Sequence, residues 1–122
     1  MTGHDVVRQA LALLNYTDTR ADGSVPGGDG LNKRTLAFVN QIAAELWYRD
    51  NTAPYRPLTD LSAYVLLDDV TARTVLPYGV AMLIAQSDGD ANNQTLYASL
   101  YDGRRVATRT GDRIRDALPT TE

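Results

Sequence analysis

A chain of 122 residues that is 43% hydrophobic and 22% charged has the length and balance of one globular domain, and at this size roughly two thirds of the unfolded surface can be buried, enough for one core and not for two. The absence of cysteine excludes disulfides, thiolate zinc sites and thiol nucleophiles, so packing alone must hold the fold. A net charge of -3 speaks against a free-standing nucleic-acid binder, which needs clustered positive charge.

The first helix is expected over residues 3 to 14. Thr2 followed three residues later by Asp5 has the form of a capping box, and Val6, Val7, Ala10, Leu11 and Leu14 recur at helical spacing. The opening Met1-Thr2-Gly3-His4-Asp5 lacks the basic and then apolar order of a secretory signal, which implies synthesis inside the cell. From Asn15 to Gly30 the chain holds Gly23, Gly27, Gly28, Pro26 and three aspartates, so a long exposed loop is expected. Loops of this length are uncommon without a role.

A second helix is expected over residues 31 to 49, where Leu31, Thr35, Val39, Ile42 and Leu46 form a stripe widened by Phe38, Ala43 and Trp47, while Lys33, Arg34, Gln41 and Glu45 can face outward. Pro54 and Pro57 bar regular structure, and Leu58 to Leu67 is short and mixed, which suggests an extended stretch with one turn or a short strand. Asp68 or Asp69 can cap a helix through Val70 and Leu76, which Pro77 must kink or restart. The segment Val80-Ala81-Met82-Leu83-Ile84-Ala85 is apolar nearly all round, so it belongs at the centre of the domain or in one wall of a subunit contact.

Gly89 suits a left-handed stop, and Asp90 suits the cap of a last helix carrying Leu96, Tyr97, Leu100 and Tyr101 as one stripe. The two helices flanking Gly89 should form an antiparallel hairpin. Gly103 is expected to end or weaken the last helix, with Arg104 to Glu122 continuing as an arm that holds a short helix near Ile114 to Leu118 before Pro119. No apolar run approaches the roughly 20 residues that span a bilayer; the longest, Val75 to Ala85, is interrupted by Pro77, Tyr78 and Gly79.

No catalytic, cofactor or metal site can be built from these residues. The glycine-rich loop lacks the Gly-Lys-Ser/Thr ending of a phosphate loop and the spacing of a dinucleotide fingerprint. Asp88, Asp90 and Asn92 alternate like the start of a calcium loop, but Asn93 stands where a glycine is required and Ser99 where a bidentate glutamate is required. His4, the only histidine, has no partner in a ligand or catalytic spacing and is expected at the surface. Adjacent carboxylates such as Asp68 and Asp69 point to different faces of a helix, so capping suits them better than acid-base work.

The charge and aromatic patterns point instead to contact with other proteins. Eleven of the 12 basic residues are arginine, and Arg104, Arg105, Arg109, Arg113 and Arg115 give residues 104 to 122 a charge of +2 against -5 for residues 1 to 103. The guanidinium fork suits paired carboxylate contacts at interfaces, so a basic tail on an acidic body suggests docking onto an acidic neighbour; a solvated tail is the plainer alternative. Seven tyrosines against one phenylalanine and one tryptophan also favour interfaces, because tyrosine packs its ring while its hydroxyl stays paired or wet. Tyr78, Tyr97 and Tyr101 are interface candidates on this ground, although each also suits the core.

The order of short helix, long loop, Leu36-Ala37-Phe38-Val39-Asn40-Gln41-Ile42, Tyr55-Arg56-Pro57-Leu58-Thr59-Asp60-Leu61, the run from Val75-Leu76-Pro77-Tyr78-Gly79 to Ala85, then Ser87-Asp88-Gly89-Asp90 and Leu100-Tyr101-Asp102 resembles the head-tail connector (adaptor) proteins of tailed bacteriophages. The resemblance is one of pattern across most of the chain, sharpest at Leu-Pro-Tyr-Gly and the apolar helix after it. It implies a virion structural protein at the head-tail interface, present in the host cytoplasm during assembly. Such a protein forms a homo-oligomeric ring of about a dozen copies, docks on the portal protein, meets a downstream tail or stopper protein, and lets DNA pass without sequence-specific binding.

The expected fold is therefore all-α: a small helical bundle of about four helices with a long loop after helix 1 and an extended C-terminal arm. Residues 1 to 103 form the helical adaptor domain and residues 104 to 122 the arm. The expected protein-interface residues are Arg104, Arg105, Arg109, Arg113, Arg115, Tyr78, Tyr97 and Tyr101; neither enzymatic activity nor membrane contact is expected. The alternative is a small helical nucleic-acid-binding or DNA-packaging accessory protein that sets Arg104, Arg105 and Arg109 on phosphates, against which the acidic remainder speaks.

Overall fold

A computed structural model describes the backbone of residues 1–14 and 29–121 and the side chains of residues 1–14 and 33–108. The fold is a bundle of α-helices, α1 (Gly3–Leu13), α2 (Asp29–Asp50), the short α3 (Asp69–Thr74), α4 (Leu76–Ser87) and α5 (Ala91–Thr121). The loop expected after the first helix lies outside the described residues, apart from its last two positions, which open α2.

Helices α1, α3, α4 and α5 start where local chemistry favours them. Thr2 and Asp5 form the expected capping box: the Asp5 amide donates to Thr2 Oγ1 at 3.2 Å and the Thr2 amide donates to Asp5 Oδ2 at 3.1 Å. The bond from the Thr2 backbone amide is the main reason that the Asp5 carboxyl lies below its ordinary pKa of 3.8. A depressed folded-state pKa contributes stability above that value, which is lost as pH falls through the folded value. The gap in melting temperature between wild type and Asp5→Ala should thus be full at neutral pH and close on acidification below 3.8; a gap unchanged in strong acid would contradict this.

Asp68 caps α3 by accepting from the Thr71 amide at 3.0 Å, and Val75, at φ -117° and ψ -50°, separates α3 from α4. Pro77 sits in the first turn of α4, where its missing N–H costs nothing. Gly89 turns the chain with φ 76°, a conformation that glycine adopts without strain. Asp90 then caps α5 by accepting from the Asn93 amide at 3.2 Å, while Asp88 pairs with Arg34 at 3.7 Å.

The helix α4 is the centre of the molecule. It packs against α1, α2, α3 and α5, and Leu76, Val80, Ala81, Leu83, Ile84 and Ala85 are all buried. Residues apolar nearly all round a helix require neighbours on every side, and four helices supply them. On α2 the expected stripe of Thr35, Val39, Ile42 and Leu46 is buried, while Lys33, Arg34, Gln41 and Glu45 are exposed. His4 is exposed too.

Residues 51 to 68 carry no helix or strand and are tacked down at fixed points. Tyr64 forms an isolated antiparallel bridge with Thr2, the His4 amide donates to the Leu61 carbonyl at 2.8 Å, and the Val65 amide donates to the Met1 carbonyl at 2.9 Å. Asn40 on α2 pins the other end: its Nδ2 donates to the Leu58 carbonyl at 2.9 Å, and its Oδ1 accepts from the Leu58 amide at 2.7 Å and the Tyr55 hydroxyl at 2.9 Å. Leu58, Leu61 and Val65 are thereby held in the core.

The last helix differs from expectation. It runs unbroken through Gly103 to Thr121, 31 residues in all, so Gly103 does not end it and the C-terminal arm is a continuation of α5 and not a separate short helix near Ile114. A glycine in an exposed helix interior costs only about 1 kcal/mol, less than is needed to stop a helix whose ladder is already formed. The Asp102 to Arg105 ion pair, three residues apart, also bridges the glycine.

Candidate interaction surface

The hairpin of α4 and α5 places the expected interface residues in two environments. Tyr97 and Tyr101, one turn apart, face α4 and are 7% and 5% exposed. The Tyr97 hydroxyl donates to the Leu13 carbonyl at the end of α1, and the Tyr101 hydroxyl donates to Glu45 Oε1 at 2.8 Å. Burial raises the pKa of both, and at Tyr101 the Glu45 carboxylate raises it further. These two tyrosines sit in the core, the second of the two places the sequence left open to them. Each ring can be buried because its hydroxyl finds an acceptor at the far side of the core.

Room for Tyr101 comes from Gly79. A Cβ there would lie 2.6 Å from Ile42 Cγ2 and 3.0 Å from Tyr101 Cε1. The glycine after Leu-Pro-Tyr thus lets α2 and α5 close on α4.

Tyr78 is half-buried at the edge of this packing. Its ring lies 6.2 Å from that of Tyr97 at 44°, and the Arg104 guanidinium sits 4.1 Å over its centroid. Such a contact at an exposed site is worth about 0.5–1 kcal/mol. Arg104 also reaches the Thr74 carbonyl at 3.4 Å.

Arg105 joins a wider polar network. Its Nη1 donates to Glu45 Oε1 at 2.7 Å and its Nη2 to Asp102, its guanidinium lies 5.5 Å from the Tyr101 centroid, and its carbonyl accepts from Arg49 Nη1 at 3.0 Å. One oxygen of Glu45 therefore receives both the Tyr101 hydroxyl and Arg105. The body extends across the expected boundary at residues 103 and 104, because both arginines after it contact earlier helices. The side chains of Arg109, Arg113 and Arg115 lie outside the described residues.

Composition and motif reasoning missed Glu45, Arg49 and Asp102 as the partners of the arginines; Glu45 carried no signal beyond an outward helical position. It also missed an apolar outer face. Leu96 and Leu100, grouped with the tyrosines in one stripe, are 49% and 38% exposed, and Val106 is exposed too. Leu96 and Leu100 recur at a step of four, but Tyr97 and Tyr101 recur beside them at the same step, so the spacing does not say which file faces out. A second, largely apolar surface is an open cleft of about 450 Å³ lined by Trp47, Ala53, Pro54, Arg56 and Leu66.

Among the described residues, no three His, Cys, Asp or Glu side chains are placed to hold a metal ion, and no helix is long and apolar enough to cross a membrane. What the α4 and α5 edge presents is guanidinium groups beside tyrosine and exposed aliphatic side chains, a chemistry suited to protein contact. No family model matches the chain, and neither a curated protein nor a solved structure matches it.

Proposed function

We propose that the protein is a virion structural protein, a head-tail adaptor that assembles as a homo-oligomeric ring on the portal, extends the DNA channel toward the tail and docks through its C-terminal arm. The resemblance of pattern from Leu36 to Asp102 supports this reading. The observation that carries it is the length of α5. Its 31 residues extend roughly 46 Å, whereas α4, the helix it packs on, has 12 residues and extends roughly 18 Å. A helix far longer than the one it packs on, basic toward its C-terminal end and attached to an acidic body, is suited to burial against an acidic neighbour. The acidic body also repels phosphate, so a duplex can pass without being gripped.

The test uses a purified phage portal protein as the binding partner. Full-length protein mixed with portal should form a ring on it visible by electron microscopy. Removal of residues 109–122, which spares the contacts of Arg104 and Arg105, should leave the melting transition in place and abolish attachment. Wild-type attachment by the truncated chain would refute the arm's role. Failure of the full chain to bind portal, together with salt-steep retardation of DNA, would replace the adaptor reading with a phosphate-binding one.

A further inference from the structure

We infer that Gly103 is a pivot in α5, held closed by Arg105 on Glu45 and Asp102, whose release swings residues 104–121 as one helix and frees the Arg104 and Arg105 guanidinium groups for the carboxylates of a partner. The inference does not depend on that partner being a portal.

Three observations carry it. First, nothing among the described residues requires glycine at this position. Gly103 lies inside a helix, and a Cβ there would meet nothing within 4 Å, in contrast to Gly79. A glycine in a helix interior weakens it, and here no close approach or left-handed backbone accounts for the weakness.

Second, within the described side chains the last buried residue of α5 lies two positions before the glycine. Tyr101 is buried, and no residue from Asp102 to Thr108 is. Third, the contacts by which Arg104 and Arg105 hold the helix just beyond Gly103 are polar or cation–π: Arg105 to Glu45 and Asp102, Arg49 to the Arg105 carbonyl, and Arg104 to Tyr78 and the Thr74 carbonyl. Ion pairs between partly exposed groups contribute little and exchange readily for another carboxylate, whereas buried apolar contacts do not. The weak point of the backbone and the exchangeable tether therefore coincide.

The chain has no cysteine, so paired spin labels can be placed on the intact protein at will. Labels on Ser62→Cys and Ala107→Cys report the angle of the arm; labels on Ser62→Cys and Ser99→Cys, both before the pivot, report the body. In Glu45→Gln, or equally in Arg105→Gln, the first pair should show a second distance population enlarged severalfold over wild type, and the second pair should not change. Adding Gly103→Ala should shrink that population about fivefold, the difference in helix preference between the two residues. A single narrow distance for the first pair in every background overturns the pivot. Equal broadening of both pairs, or a population indifferent to Gly103→Ala, overturns it as well, since the loosening would then lie elsewhere.

Discussion

Gly79→Ala should destabilise the protein by about 2 kcal/mol and lower its melting temperature by roughly 10 °C. Alanine is ordinarily the better helix former by about 1 kcal/mol, so propensity alone predicts the opposite sign. Packing decides against it: the added methyl would stand 2.6 Å from Ile42 Cγ2 and 3.0 Å from the Tyr101 ring. Ile42 is buried and branched at Cβ, and Tyr101 is held by its bond to Glu45, so neither can move aside without loss. Ile42→Leu, which removes the branch methyl, should recover part of the loss in the double variant. Gly103→Ala supplies the opposite case, since open space at that position leaves only the propensity gain, up to about 1 kcal/mol of stabilisation. Thermal unfolding of the four variants checks both signs. A Gly79→Ala protein as stable as wild type would show that α2 and α5 are not closed on α4 as described.

Ile84→Asp should abolish the cooperative unfolding transition at 25 °C, whereas Leu96→Asp should change stability by less than about 0.5 kcal/mol. Ile84 is 2% exposed at the middle of α4 and Leu96 is 49% exposed on α5. A carboxylate at position 84 would be desolvated among Val80, Leu83 and their neighbours with no cation to pair it, a cost of several kcal/mol that exceeds much of a small domain's stability. At position 96 the same group stays in water. Circular dichroism and thermal melting of the two variants separate the cases. A folded Ile84→Asp protein would mean that α4 is not the core, and an unfolded Leu96→Asp protein would mean that the outer face of α5 is covered within the chain.

Much of the local structure was legible in the residues. The Thr2 and Asp5 box, the Asp68 cap, Pro77 in a first turn and the left-handed Gly89 all depend on residues within about one turn of each other, and the stripe of α2 is periodicity alone. The interior of α5 was not legible in the same way. Leu96, Tyr97, Leu100 and Tyr101 are all apolar enough to be buried, and periodicity does not say which half of a two-residue-wide stripe faces inward. Acceptors remote in sequence decide it: Leu13 for Tyr97 and Glu45 for Tyr101, separated by 84 and 56 residues. The same holds at the candidate surface, where the arginines and Tyr78 announced a contact but their present partners, Glu45 and the Thr74 carbonyl, did not.

The all-α class, most helix starts and the burial of the apolar segment after Pro77 follow from sequence by itself, because each rests on the spacing of neighbouring residues and on the need of an all-round apolar helix for company; that this company is the rest of the chain, and not another subunit, is decided by the packing of α4 against four helices. The tertiary structure alone decided that Gly79 is a contact point and Gly103 is not, that the tyrosines of α5 face in and its leucines out, and that Arg105 is already paired. Those outcomes depend on which distant groups come within a few ångströms of each other, and no local spacing encodes that distance.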